Sequence, residues 1–417
     1  MSPHGLTWLI AALATAGVIL HPFDWPEAIW AVAGAVLLIV LHLLSPVDAL
    51  TGVGKGTDVY LFLIGMMLLA ETAREVKLFD WLAAVATKRA KGSASRLFLL
   101  IFGVGTIVTV FLSNDATAVV LTPAVAAAVK TAKAKNPLPY LLICAFIANA
   151  ASFVLPISNP ANLVIYGTHM PPLLQWLPRY LLPSLLSIVA TYAVLRWSQR
   201  AALRQAIESE VKMPDLTSGG KTAALGIAAT AITLLVASFF DLLLGLPTAI
   251  AGILTAIVVL LREKKAPWTM LRGISWGVLP LVAGLFVLVE ALDKTGLIQT
   301  ISNVLHEQSQ RSVTETAWGA GVMVAFATNL INNLPAGLIA SSAVQSAQVS
   351  DQITSAVLIG VDLGPNLSVT GSLATILWLT ALRREGQSVS AWTFLKLGLL
   401  VMPPALLLAI AATLLVH

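Results

Sequence analysis

Apolar stretches recur from one end of this chain to the other with little chain between them. They run over about 6–20, 27–44, 57–77, 96–112, 116–129, 138–169, 171–197, 222–241, 247–261, 275–292, 312–331, 336–345, 353–382 and 391–416. About 20 apolar residues make one helical span of a bilayer, so the pattern reads as an all-α polytopic membrane protein. Of 417 residues only 45 are charged, 25 Lys and Arg with 20 Asp and Glu. An ordinary soluble domain carries about 25% charged residues, and a water-soluble fold is excluded. The single cysteine, Cys144, excludes a disulfide framework, a thiolate metal cluster and a CxxC redox pair. The net charge of +5 reports the sidedness of loops and not a nucleic-acid surface. Leu6 to Leu13 followed by Ala14-Thr15-Ala16 has the outline of a signal peptide, but no Lys or Arg precedes it, so it reads as the first span.

Charge fixes the sides. The stretches 96–112 and 116–129 are parted only by Ser113-Asn114-Asp115, with Lys88, Arg89, Lys91 and Arg96 before them and Lys130, Lys133 and Lys135 after. Positive charge collects on cytoplasmic loops, so both ends belong on the cytoplasmic side and the pair is a re-entrant hairpin, 96–130. Its polar tip is tolerated inside the membrane only if buried in protein or lining a wet cavity. Alternating outward, with 312–345 as a second hairpin and 138–169 and 353–382 as broken spans, predicts ten transmembrane helices plus two hairpins, with both termini external. Cytoplasmic segments then carry 18 Lys and Arg, Lys212 among them, and external segments four: Lys55, Arg179, Lys294 and Arg311.

The chain also repeats itself. A shift of 219 residues places Gly65 on Gly284, Glu71 on Glu290 and Asn114 on Asn333, and beyond the hairpins a shift of about 212 aligns Ser158–Asn162 with Thr370–Ala374. Each half, 1–197 and 222–417, holds five spans and a hairpin, so the second copy is inverted. Residues 198–221, with Glu208, Glu210 and Pro214, form a cytoplasmic linker. Inverted repeats with broken helices are the architecture of secondary transporters, whose substrate sits near the midplane where half-helix ends converge. Four breaks qualify: Ser113–Asp115, Pro156–Pro160, Asn332–Pro335 and Gly364–Gly371. Free N–H groups, carbonyls and Asn and Ser side chains suit a small polyhydroxylated solute.

The runs Phe111–Pro123, Asn329–Leu338 and above all Gly360–Thr375 strongly resemble the arsenical pump membrane protein (ArsB) family, within a larger ion transporter superfamily that includes dicarboxylate carriers and sodium/proton antiporters. The resemblance covers nearly the whole chain. It implies export of arsenite and antimonite across the bacterial inner membrane, driven by protons or with a separate arsenite-stimulated ATPase subunit. No cofactor or nucleic acid is implied. Another anion, or sodium exchanged for protons, is the alternative within the same superfamily.

The candidate substrate-binding residues are Ser113, Asn114, Thr117, Ser158, Asn159, Asn162, Asn332, Asn333, Asn366, Thr370 and Ser372, and the candidate proton-coupling residues are Asp115, Asp362 and Glu71. Each has a plainer alternative. Asp115 is an N-cap or a proton carrier; small polar residues at a break also satisfy freed backbone groups. Glu71 and Glu290 have Arg74 at i+3 and Lys294 at i+4, so helix-surface ion pairs are expected. Cys144 reads as a small core residue, and arsenic is expected to be held as a hydroxide, with no metal site. Ser218–Thr222 and Gly52–Thr57 lack the glycine spacing of a phosphate-binding loop, and no HExxH or nucleophile elbow supports a membrane-embedded enzyme.

Overall fold

A computed structural model describes residues 2–20, 22–208 and 214–416, with no β-strand among them. Glu210 and Lys212 of the linker lie outside the described residues. Ten α-helices precede the linker: α1 (Pro3–Leu20), α2 (Glu27–Val40), α3 (Pro46–Lys55), α4 (Thr57–Glu75), α5 (Leu78–Ala90), α6 (Ala94–Phe111), α7 (Thr122–Thr131), α8 (Leu138–Ala150), α9 (Pro160–Tyr166) and α10 (Leu173–Ser198). Ten follow: α11 (Ser218–Phe239), α12 (Gly245–Glu263), α13 (Pro267–Gly273), α14 (Val278–Lys294), α15 (Leu297–Arg311), α16 (Val313–Ile331), α17 (Asn333–Ala347), α18 (Asp351–Leu363), α19 (Leu373–Arg384) and α20 (Ala391–Val416). The start of α15 falls 219 residues after that of α5, and α16 stands likewise to α6; α18 and α19 start 213 residues after α8 and α9. Seven helical segments are long and apolar enough to cross a membrane, or eight if α3 and α4, bent by 49°, count as one.

Several of the most extensive helix contacts run between the two sets of ten. α4 lies along α12, and α2 along α14. Gly65 of α4 meets Thr248 and Gly252 of α12 so closely that a methyl group on either glycine would strike the opposite backbone. Small residues of this kind let helices approach where lipid offers no hydrophobic force to drive them together. Gly284 of α14 sits on Ala31 of α2, its missing Cβ 2.7 Å from the Ala31 carbonyl carbon. α10 packs along α20. Both contain internal prolines, Pro178 and Pro183 in one and Pro403 and Pro404 in the other, each of which removes a helical hydrogen bond.

Four helices, α3, α5, α13 and α15, occupy segments without an apolar run. In α15 only Ile298 and Ser302 are buried, one turn apart, and the rest of its polar surface remains outside the core. Two linker residues bond to the first half of the chain. Ile207 N–H donates to the Gly92 carbonyl at 3.1 Å and Glu208 N–H to the Ala132 carbonyl at 2.8 Å, and Lys133 pairs with Glu208 at 3.1 Å. Gly92 precedes α6 and Ala132 follows α7, so adjacent linker residues hold the two ends of this segment side by side.

Candidate functional site

Polar side chains close the breaks, some by capping their own helices and some by bonding across to another break or helix. After α6 the chain turns at Ser113 and re-enters helix through a wide π turn, Ala116–Leu121. Ser113 Oγ accepts from Ala116 N–H at 3.1 Å and Asn114 Oδ1 from Asp115 N–H at 2.9 Å. The Asp115 carboxylate makes no capping bond; Ser113 fills that role. Between α16 and α17, Asn332 has φ 70° and ψ 155°, a region nearly reserved for glycine. Its Oδ1 accepts from Leu334 N–H at 3.4 Å, its Nδ2 donates to the Thr370 carbonyl at 3.3 Å, and Asn333 N–H donates to the Gly371 carbonyl at 2.9 Å.

Between α8 and α9, Asn159 is extended, as the residue before a proline tends to be, and its Oδ1 caps α9 by accepting from Ala161 N–H at 3.0 Å. Asn162 Nδ2 collects the carbonyls of Ser152, Leu155 and Pro156 at 2.9–3.3 Å, and Ser158 Oγ donates to the Val110 carbonyl at 3.0 Å. Between α18 and α19, Ser372 Oγ caps α19 through Thr375 N–H at 3.1 Å, and Thr370 Oγ1 donates to the Asn329 carbonyl at 3.1 Å. Asn366 Nδ2 donates to the Phe146 carbonyl at 3.1 Å, and Asn366 Oδ1 accepts from Asn149 at 3.0 Å.

Three breaks, and the start of α19 just past the fourth, reach one small cavity of about 20 Å³, walled by Asn114 and Asp115, Asn159 and Pro160, Asn333 and Leu334, and Leu373 and Ala374, with Leu63 and Val278. It has room for about one water. Leu63, Asp115, Pro160 and Val278 also wall a second cavity of about 80 Å³, which runs past Ser113 and Glu71 to Gly273, Ile274 and Ser275. No Lys, Arg or Cys lines either cavity.

Of the residues singled out from sequence, Asn114, Asp115, Asn159 and Asn333 therefore meet, with Ser113 and Glu71 farther along. Thr117, Ser158, Asn162, Asn332, Asn366, Thr370 and Ser372 line neither cavity and hold the breaks closed; Thr117 Oγ1 is 2.8 Å from that of Thr109. Asp362 is fully buried, with Oδ1 accepting from Asn159 Nδ2 at 2.7 Å and Oδ2 without a hydrogen-bond partner among the described residues. Cys144 is fully buried and lines neither cavity.

Asn149 was not singled out. The 213-residue helix offset sets it opposite Asp362, whereas the sequence shift of 212 misses the match by one position; aligning the capping residues Asn159 and Ser372 would have exposed it. Asn329 is another, donating to the Gly364 carbonyl at 3.0 Å and accepting from Ser368 Oγ at 2.7 Å. Glu71 pairs with Arg74 as expected. Glu290 does not pair with Lys294: Lys55 of α3 takes it at 2.6 Å, and Lys294 bonds Asp48 at 2.8 Å, holding the Asp48 carboxyl below its ordinary pKa. The interhelical contact of α3 with α14 overrides the local i+4 geometry.

Residues 10–363 match the family described as citrate transporter (CitMHS). The arsenical pump membrane protein of Yersinia enterocolitica is 27% identical over 428 residues, spanning 98% of this chain and 94% of that protein. The protein of the same name from Escherichia coli K12 is 27% identical over 397 residues, 92% of each chain. Among solved structures, the YdaH transporter of Alcanivorax borkumensis shares the fold at 14% identity and TM-score 0.55, over 88% of this chain and 86% of that one. MtrF of Neisseria gonorrhoeae, from a class of antimetabolite efflux pumps, does so at 12% identity and TM-score 0.59, over 99% and 94%. With an all-helical fold, several apolar spans and a family match over most of its length, the chain belongs to the citrate transporter (CitMHS) family and is a multi-span membrane transporter of the type that includes the arsenical pump membrane proteins.

Proposed function

We propose that this chain is a secondary transporter exporting arsenite and antimonite, as As(OH)3 and Sb(OH)3, from the bacterial cytoplasm across the inner membrane in exchange for protons. The observation that carries the reading is the wall where three breaks and the start of α19 meet, with three asparagines and one carboxylate but no Lys, Arg or Cys. Arsenite is a weak acid and at neutral pH is mainly a neutral triol. Amide groups donate to and accept from hydroxyls, whereas citrate would bring several negative charges to a wall whose only ionisable group, Asp115, is itself acidic. The relatives' name supports the same substrate.

Ten spans fit this chain as α1, α2, α4, α8 with α9, and α10, and their counterparts α11, α12, α14, α18 with α19, and α20. α6/α7 and α16/α17 are then hairpins entering from opposite sides. Joining of Gly92 and Ala132 through the linker supports the first hairpin, and the helix offsets of 213–219 residues support two inverted halves, 1–197 and 222–417, with both termini external. Asp115 is the proton carrier of this scheme, since its carboxylate faces both cavities and caps nothing. Exchange of one proton for a neutral triol draws on the full membrane potential, ~2.3 kcal/mol per charge at 100 mV. At 1.36 kcal/mol per decade that sustains roughly a fifty-fold gradient without a separate ATPase.

Arsenite uptake into everted membrane vesicles with an imposed pH gradient tests the proposal, with antimonite, citrate and sodium as competitors. Uptake that follows the gradient and is competed by antimonite alone is expected. Citrate flux, or sodium dependence without arsenite flux, overturns the substrate assignment.

A further inference from the structure

Glu71 and Glu290, equivalent under the 219-residue shift, are both buried, at 5% and 7% exposure, and each lies beneath a short helix. Arg74 grips Glu71 with two nitrogens, Nε donating to Oε2 at 2.7 Å and Nη2 to Oε1. Gly273, the last residue of α13, lies over this pair so closely that a methyl group there would land on the Glu71 carboxylate. On the other glutamate, Lys55 at the end of α3 bonds Glu290 at 2.6 Å, and the missing Cβ of Gly52 in α3 is 3.1 Å from Glu290 Cβ. Thus α13 covers Glu71 of α4, and α3 covers Glu290 of α14.

These two coverings stand at the ends of two cavities. Glu71 and Gly273 wall the 80 Å³ cavity that contains Asp115. Glu290 and Lys55 wall another, of about 410 Å³, which reaches Val59, Leu163 and Leu338. Those three stand about one helical turn from Leu63, Pro160 and Leu334 of the central cavity, so a single layer of side chains separates the 410 Å³ cavity from the site.

We propose that α13 with Glu71–Arg74 and α3 with Glu290–Lys55 are two interchangeable closures, at the inner and outer mouths of one route through the site, and that one opens as the other shuts. The proposal rests on the transporter reading but on no particular solute. The chemistry suits a gate that opens repeatedly. The cationic side chains are 48% and 55% exposed, and ion pairs with one partner in water are weak.

The test is accessibility of a cysteine at Val120, which walls the Asp115 cavity, in a Cys144→Ser background, to a membrane-impermeant maleimide applied to inside-out or right-side-out vesicles. Glu71→Gln should raise the labelling rate from the cytoplasmic side by roughly fivefold, the scale of one weak ion pair, and lower it from outside. Glu290→Gln and Lys55→Gln should do the reverse. Gly273→Ala keeps both charges but displaces the Glu71 carboxylate, so it should match Glu71→Gln even if that variant folds poorly. Rates that move in the same direction in the inner and outer variants, or in neither, overturn the proposal. Failure of arsenite transport would leave this result standing, since no solute enters the assay.

Discussion

Asn159 Nδ2 donates to Asp362 Oδ1 at 2.7 Å across 203 residues of sequence, joining the start of α9 to the end of α18 directly behind the central cavity. The other Asn159 group caps α9, so this one amide serves two structures. Asn159→Ala should cost about 2–4 kcal/mol, a cap plus a buried hydrogen bond to a carboxyl group. Asn114, whose Oδ1 bonds only the neighbouring Asp115 N–H, should cost about 1 kcal/mol as Ala. Thermal unfolding in detergent ranks the two, and equal losses would show that the Asn159–Asp362 bond contributes little.

Asp115→Asn keeps size and hydrogen-bonding capacity and removes the titrating proton. The variant should insert normally and equilibrate arsenite across vesicles, yet accumulate none against a gradient at any imposed pH difference. Wild-type uphill transport would move the proton carrier to Asp362 or Glu71.

Asn332 carries backbone strain, with φ 70° and ψ 155°, of about 1–3 kcal/mol for a residue with a Cβ. Asn332→Gly should relieve that strain while losing the bonds to Leu334 and Thr370. Asn332→Ala loses the bonds and keeps the strain. The alanine variant should therefore be less stable than the glycine variant by about 1–2 kcal/mol, and the opposite order would mean that this turn imposes no strain on a residue with a Cβ.

Cys144→Ser should retain export, because Cys144 is fully buried and lines no cavity near Asp115. In that background, cysteines at Lys91 and Lys133 should react only from the cytoplasm, and those at Gln310 and Ser346 only from outside. Labelling of Lys91 and Lys133 from opposite sides would replace the first hairpin with two true spans.

The positions of Asn114, Asp115, Asn159 and Asn333 were legible because polar residues inside apolar runs are costly and stand out at the breaks. Their division of labour was not. Ser113 caps where the sequence offered Asp115, and the amide nitrogen of Asn366 and the hydroxyl of Thr370 bond backbone carbonyls, choices decided by orientation. Glu290 shows the same limit, since its partner Lys55 arrives from a helix 235 residues away. α3, α5, α13 and α15 escaped notice because none of the four contains a long apolar run, and a helix lying against the bundle does not need one.

The crossed packing of α2 on α14 has a consequence for the way the protein is made. α14 is synthesised about 240 residues after α2, roughly 10–50 s later at ordinary rates of elongation. Until then Gly34 of α2 already has Ala14 of α1 against it, but Ala31, fitted in the finished molecule to Gly284, has only lipid or an insertion factor to face. The early helices therefore enter the bilayer as an unfinished assembly, and the later ones complete the interior as they insert.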